Sequence, residues 1–98
     1  MGKRVIVIGG GAAGHFSAIN IKDKNPKYQV TLIEKTSKTL TKVKISGGGR
    51  CNVTNGRQKP SDLVKFYPRG QKKLYKPFEQ FNTKDMQEWL YKRGVATH

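Results

Sequence analysis

The residues with the clearest chemical purpose are Gly9, Gly11 and Gly14, spaced as G-x-G-x-x-G in Gly9-Gly10-Gly11-Ala12-Ala13-Gly14, and Glu34, which follows Gly14 by 20 positions. In this spacing the first glycine permits a tight turn and the second lets the backbone approach a pyrophosphate. The third lets a helix sit close to a strand. A helix opening at Ala12 and Ala13 aims unpaired N–H groups and its positive dipole end at the phosphates. Glu34, at the end of a second strand, is placed to accept both hydroxyls of an adenosine ribose. A P-loop needs Lys followed by Ser or Thr after its last glycine, but His15-Phe16 stand there, which disfavours nucleoside triphosphate hydrolysis. An acidic residue at position 34 repels a 2′-phosphate, which disfavours NADP in this site. The glycine turn itself leaves NAD and FAD both open.

These groups need a strand, a helix and a second strand to position them. Residues 3–8 are a short β-branched apolar run bounded by glycines, the pattern of a buried parallel strand. Residues 12–24 change period, with Ala13, Phe16, Ile19 and Ile21 and the small residues Ala12, Gly14 and Ala18 expected on one helical stripe, and Asn25-Pro26 ends the helix. Residues 28–34 form a second β-rich run. The span 3–35 thus accommodates one βαβ unit, which takes about 30 residues or more. A doubly wound half-domain needs a third parallel strand, so the expected fold class is an α/β, Rossmann-like but incomplete three-layer domain.

Residues 35–44 are polar and lysine-rich, read as a loop or a short irregular helix. In residues 58–81, Pro60, Pro68 and Pro77 are expected to prevent a long helix. Asn82 or Thr83 then caps a helix with Asp85 in its first turn and Met86, Trp89 and Leu90 on one face. Arg93-Gly94 closes it, and 95–98 resembles the beginning of a strand. The expected organisation is one domain over 1–98: a βαβ core at 3–35, a cofactor loop at 42–56, and a basic aromatic segment with its helix at 58–94.

A second constellation is more specific: Lys42-Val43-Lys44-Ile45-Ser46-Gly47-Gly48-Gly49-Arg50-Cys51-Asn52-Val53-Thr54-Asn55. Three consecutive glycines can nest around an anion or lie against a flat ring. Ser46, Asn52, Thr54 and Asn55 add neutral hydrogen-bonding groups, and Arg50 a fixed positive charge. Cys51 reads as a small packed residue, since no second cysteine exists for a disulfide or a cysteine metal cluster. His15 reads as a helix-face side chain.

Together with the glycine turn and Glu34-Lys35, this segment closely resembles the BaiN/RdsA family of NAD(P)/FAD-dependent oxidoreductases, also described as aminoacetone-oxidase-like flavoproteins. Tyr67-Pro68-Arg69 and residues 82–95 extend the resemblance over essentially the whole chain. It departs at Thr41, where the family commonly has a glycine before the motif lysine, here Lys42. The resemblance implies FAD as cofactor, held non-covalently. Its contacts would be Gly9, Gly11, Ala12, Ala13, Gly14, Glu34 and Lys35 at the ADP end, then Lys42, Ser46, Gly47, Gly48, Gly49, Arg50, Cys51, Asn52, Thr54 and Asn55. It also implies that the chain is the N-terminal portion of a larger enzyme, with NAD(P)H or oxygen as the electron partner. An amine oxidase using oxygen is the alternative enzyme, and no catalytic acid, base or nucleophile is identifiable.

Composition bounds the remaining choices. A chain of 98 residues with 35% hydrophobic residues has little material for a self-sufficient core. Its net charge of +14, with Arg69, Lys72, Lys73 and Lys76 interleaved among Phe66, Tyr67, Tyr75 and Phe78, is also what a nucleic-acid-binding module would use. A solvated lysine face is the preferred reading. The apolar run at 5–8 is too short for a signal peptide and no stretch suits a membrane span, so a reduced cytoplasmic compartment is expected.

Overall fold

The structure is a computed structural model that describes residues 2–51 and 53–97. It divides into two compact units, Met1–Asn52 and Val53–His98. The division falls inside the predicted cofactor loop.

The first unit is built on β1 (Arg4–Ile8), α1 (Ala12–Lys24) and β2 (Gln29–Ile33). The strands pair in parallel from Arg4 opposite Gln29 to Ile8 opposite Ile33. The ladder is continued by Gln29 N–H to the Lys3 carbonyl (2.9 Å) and by Gly9 N–H to the Ile33 carbonyl (2.8 Å). The second of these bonds fixes the glycine turn to the end of β2. Lys22 ties the return turn, its Nζ donating to the carbonyls of Pro26 (2.8 Å) and Tyr28 (2.7 Å). Cationic side chains suit this carbonyl-rich helix end.

Helix α1 lies against the strands because Gly14 has no Cβ. A Cβ there would sit 1.8 Å from the Gly9 carbonyl oxygen. Of the expected stripe, Gly14, Phe16, Ala18 and Ile21 are half-buried, whereas Ala12, Ala13 and Ile19 are exposed. Gly14, Ala18 and Ile21 are spaced i, i+4, i+7 along one face of the helix. The strands also differ from the expectation of full burial. Both alternate, and Ile6 (62% exposed) and Ile8 (85%) stand open on one face. Within this unit α1 covers only the other face.

Beyond β2 a short helix, α2 (Thr41–Ile45), runs into a 3-10 turn at Ser46–Gly49. Gly47 and Gly48 adopt left-handed φ values of 57° and 65°, so the segment is not a regular helix, as its glycine content predicts. Leu40, the residue before α2, also has a left-handed φ of 55°. The unusual backbone of this turn therefore sits at Leu40 and not at Thr41, the first residue of α2.

The second unit contains α3 (Pro60–Leu63), a 3-10 turn at Val64–Phe66, α4 (Gln71–Gln80) and α5 (Thr83–Tyr91). Its centre is Leu63 and Val64 with buried Thr83, whose hydroxyl is satisfied by donating to the Arg57 carbonyl at 2.6 Å. Tyr67 and Phe78 pack with ring centroids 5.7 Å apart. Pro60 starts α3, where its missing N–H costs nothing. No long helix forms over residues 58–81, as expected, although Pro77 lies inside the ten-residue α4. The Lys73 carbonyl, four residues earlier, loses its helical donor, but Lys73 is exposed and water can replace it. Asn82 caps α5 in a full capping box with Asp85. At the other end, Gly94 takes φ 82°, and Val95 N–H closes on the Leu90 carbonyl at 3.0 Å. With that N–H committed to the helix end, residues 95–97 form no strand, contrary to expectation; His98 lies outside the described residues.

Substituting Gly14→Ala should cost about 1–3 kcal/mol, because the collision is with backbone and the helix must lift off the strand. Gly56→Ala, where a Cβ meets nothing within 4 Å, should change stability by less than about 0.5 kcal/mol. Amide exchange across β1 and β2 in the two variants checks both.

Candidate functional site

The C-terminal ends of β1 and β2 and the N-terminus of α1 converge on an open cleft of about 390 Å³. Gly10, Gly11, Ala12, Glu34, Thr36, Lys38 and Lys42 are among its lining residues. Gly9 makes the turn out of β1 with φ 106°, a value that suits glycine. Gly11 is the N-cap of α1; no side chain caps this end and no acidic residue occupies the first turn. The orphan N–H groups of the first turn therefore have no carboxylate competing for them. A Cβ on Gly11 would meet nothing within 4 Å, so the glycine does not serve protein packing at that point.

Glu34 leaves the end of β2 and turns back to the glycine turn. Its Oε1 accepts from Gly10 N–H at 2.9 Å, and its Oε2 accepts from Thr36 N–H at 2.6 Å and the Thr36 hydroxyl at 2.8 Å. Three donors aimed at one carboxylate favour the ionised form. The Thr36 N–H first, then the Gly10 N–H and the Thr36 hydroxyl, lower the Glu34 pKa from 4.5 to about 2. Gly10 is itself held on both sides, since its carbonyl accepts Leu40 N–H at 2.9 Å. The Gly10 site is also filled: a Cβ would lie 3.0 Å from Glu34 Cβ and Cγ and from Thr39 Cγ2.

Of the predicted site residues, Gly11, Ala12, Glu34 and Lys42 line this cleft, Gly9 and Gly14 shape its turn, and Ala13 is exposed on the first turn of α1. Lys35 is exposed and is not among the lining residues. Ser46 is half-buried and donates to the Val43 carbonyl at 2.8 Å. Gly47, Gly48 and Gly49 (φ 90°) form the left-handed turn, followed by exposed Arg50. Cys51 is exposed with φ 58°, not packed as expected, because the turn carries its side chain outward. Asn52 lies outside the described residues. Thr54 and Asn55 belong to the second unit, where Asn55 Oδ1 accepts Arg57 N–H at 2.8 Å. His15 is half-buried, its Nδ1 3.0 Å from the Gly11 carbonyl, a contact that requires the proton on Nδ1.

Sequence reasoning missed Gly10, Thr36 and Lys38. The signal for Thr36 was its place two residues after an acidic strand end, where a local turn can return a hydroxyl and an N–H to the carboxylate.

The family described as the HI0933-like protein Rossmann domain matches residues 3–98. The chain belongs to that family. This is the BaiN/RdsA family that the motifs resemble, and the Rossmann-type nucleotide-binding fold is that of the family. Among curated proteins, the ribosomal RNA dihydrouridine synthase of Escherichia coli (strain K12) is 34% identical over 95% of this chain and 22% of its own length. The 3-dehydro-bile acid delta(4,6)-reductase of Clostridium scindens is 38% identical over 53% of this chain and 13% of its own. The chain thus spans about a fifth or less of the length of these relatives. No solved structure gives a significant match. Among the described residues no helix is long and apolar enough to cross a membrane.

A carboxyl held below its ordinary pKa contributes stability that is fully present above about 4.5 and is lost as pH falls through about 2. The stability difference between the native chain and Glu34→Gln should therefore be constant from neutral pH down to about 5 and shrink in more acid solution. Urea denaturation at a series of pH values measures this, and the Glu34 side-chain carbon resonance should titrate with a midpoint near 2.

Proposed function

We propose that this chain binds the ADP end of FAD and is the FAD-binding part of a flavin-dependent oxidoreductase. The observation that carries this reading is the single cleft where the uncapped N-terminus of α1 and the Glu34 carboxylate meet. The residues fit such a ligand: Gly11 leaves room for a pyrophosphate, the first turn supplies N–H donors, and Lys42 adds a cation. Gly11, Ala12 and Ala13 hold the pyrophosphate and Glu34 holds the ribose. Lys35 serves the ADP end beside Glu34, and residues 46–52, 54 and 55 serve the remainder of the cofactor, assignments that rest on the family motif. When bound, FAD supplies a ring that accepts or donates a hydride.

Both relatives' names, a dihydrouridine synthase and a reductase, describe a substrate gaining hydrogen. They favour reduction of substrate, with NAD(P)H as the electron source, over an amine oxidase using oxygen. With one exposed cysteine and no disulfide to maintain, we place the protein in the cytoplasm.

Because the chain spans so small a share of these relatives, the 98 residues alone should bind FAD weakly and show no turnover. Flavin titrations followed by amide chemical shifts measure the affinity. Glu34→Ala should weaken it at least tenfold, since a charge-assisted hydrogen bond is worth about 1.5–3 kcal/mol. An unchanged affinity removes Glu34 from the ribose site.

A second reading names RNA as the substrate class. The relative matched over 95% of this chain is a ribosomal RNA enzyme by name, and the net charge of +14 suits a polyanion. Binding of a single-stranded RNA should then weaken roughly three-hundredfold between about 50 and 200 mM salt, as for about six phosphate contacts. FAD binding should change little over the same range. RNA affinity that is absent at low salt rejects this reading.

A further inference from the structure

We propose that Thr36 is the positioning residue of the nucleotide site, holding the Glu34 carboxylate in the orientation that presents it to the ribose. The inference rests on the reading of Glu34 as the ribose ligand. A carboxylate offers about four acceptor positions on two oxygens. Among the described hydrogen bonds, Oε2 carries two, both from Thr36, and Oε1 carries one, from Gly10. Thr36 thus commits one oxygen and leaves Oε1 with an acceptor position for a hydroxyl donor.

The hold is local and specific to a hydroxyl residue. A backbone N–H two residues on is available at any residue type but proline, whereas the second bond to Oε2 needs Ser or Thr at position 36. The same Thr36 oxygen lies 2.9 Å from the Lys38 carbonyl. A hydroxyl has one proton to give, and the charged carboxylate is the stronger acceptor. Ionised Glu34 therefore keeps the Thr36 proton, and the Lys38 carbonyl is its next acceptor when the carboxylate is absent. Glu34, Thr36 and Lys38 all line the cleft, so this hold is exercised at the site itself and not at a distance. Thr36 is exposed, and its side chain is not part of a packed core whose loss would confuse the result.

The test is a double-mutant cycle in FAD affinity, with the Glu34 carboxyl titration as a second readout that needs no ligand. Thr36→Val keeps the shape and removes the hydroxyl. It should weaken FAD binding several-fold and move the Glu34 titration midpoint up from about 2 toward 4.5. Thr36→Ser should restore both. In a Glu34→Gln background, Thr36→Val should have no further effect on affinity, because the residue acts through the carboxylate. Loss of affinity of equal size in both backgrounds overturns the proposal, as does an unmoved titration midpoint in Thr36→Val. If Glu34→Gln itself leaves FAD binding unchanged, the ribose reading fails, and this proposal fails with it. A Thr36→Val variant with native affinity beside a weakened Glu34→Gln defeats the proposal alone.

Discussion

The geometry of the nucleotide site depends on one peptide group, that of Gly10. Its N–H is bound by the Glu34 carboxylate and its carbonyl by Leu40 N–H, so the segment that leaves β2 grips the turn that leaves β1 from both sides. The grip is close enough that a side chain at Gly10 has no room. Gly9 and Gly14 then complete the turn, the first by its positive φ and the second by admitting the helix to the Gly9 carbonyl. The glycines are therefore not interchangeable sources of flexibility. Gly9 is there for its dihedral, Gly10 and Gly14 for their closeness to other atoms, and Gly11 for empty space.

The electrostatic consequence is a carboxylate that stays charged inside a strongly cationic chain. Glu34 is one of only six acidic residues, and its three hydrogen-bond donors are all neutral groups. Lys38 and Lys42 line the same cleft, yet the carboxylate is held by backbone and hydroxyl. Such a holder does not cancel the charge, as an ion pair would, and it fixes the direction of the remaining acceptor position. That suits a site reading a hydroxyl-bearing sugar beside a phosphate. In the proposed function the cationic side chains and the helix dipole would serve the anion, and the carboxylate the sugar.

Much of this was legible in the sequence because it is local. The G-x-G-x-x-G spacing located α1 to the residue, Asn25-Pro26 located its end, and Asn82 with Asp85 located the cap of α5. What was not legible depends on tertiary approach. The expected stripe of α1 was too wide: Gly14, Phe16, Ala18 and Ile21 are half-buried, but Ala12, Ala13 and Ile19 are exposed. Pro77 sits inside α4 without ending it, since an exposed helix gives up one hydrogen bond to water. Cys51 was expected inside, but it is exposed, with a left-handed backbone (φ 58°). Thr36 was passed over because its role appears only once the carboxylate folds back on its own strand end.

A site so well specified sits in a unit with little interior. No residue of β1, α1 or β2 is buried, and among the described residues the buried hydrophobic side chains, Leu63 and Val64, lie in the other unit. The nucleotide turn is not therefore held in shape by a large core beneath it. It is held by hydrogen bonds that each involve a glycine or Glu34: Gly9 N–H to Ile33, Gly10 N–H to Glu34 and Leu40 N–H to Gly10, all between residues 24 or more positions apart. Closing loops of that length costs chain entropy, and the parallel ladder of β1 and β2 brings their ends together. The predicted cofactor loop is of a different kind: it runs through the boundary between the two units, with Ser46 to Cys51 in one and Thr54 and Asn55 in the other. The glycine turn and Glu34 thus lie together inside one unit. The remainder of the motif carries its chemistry in exposed backbone and side chains at 47–51, which no packing of the first unit fixes in place.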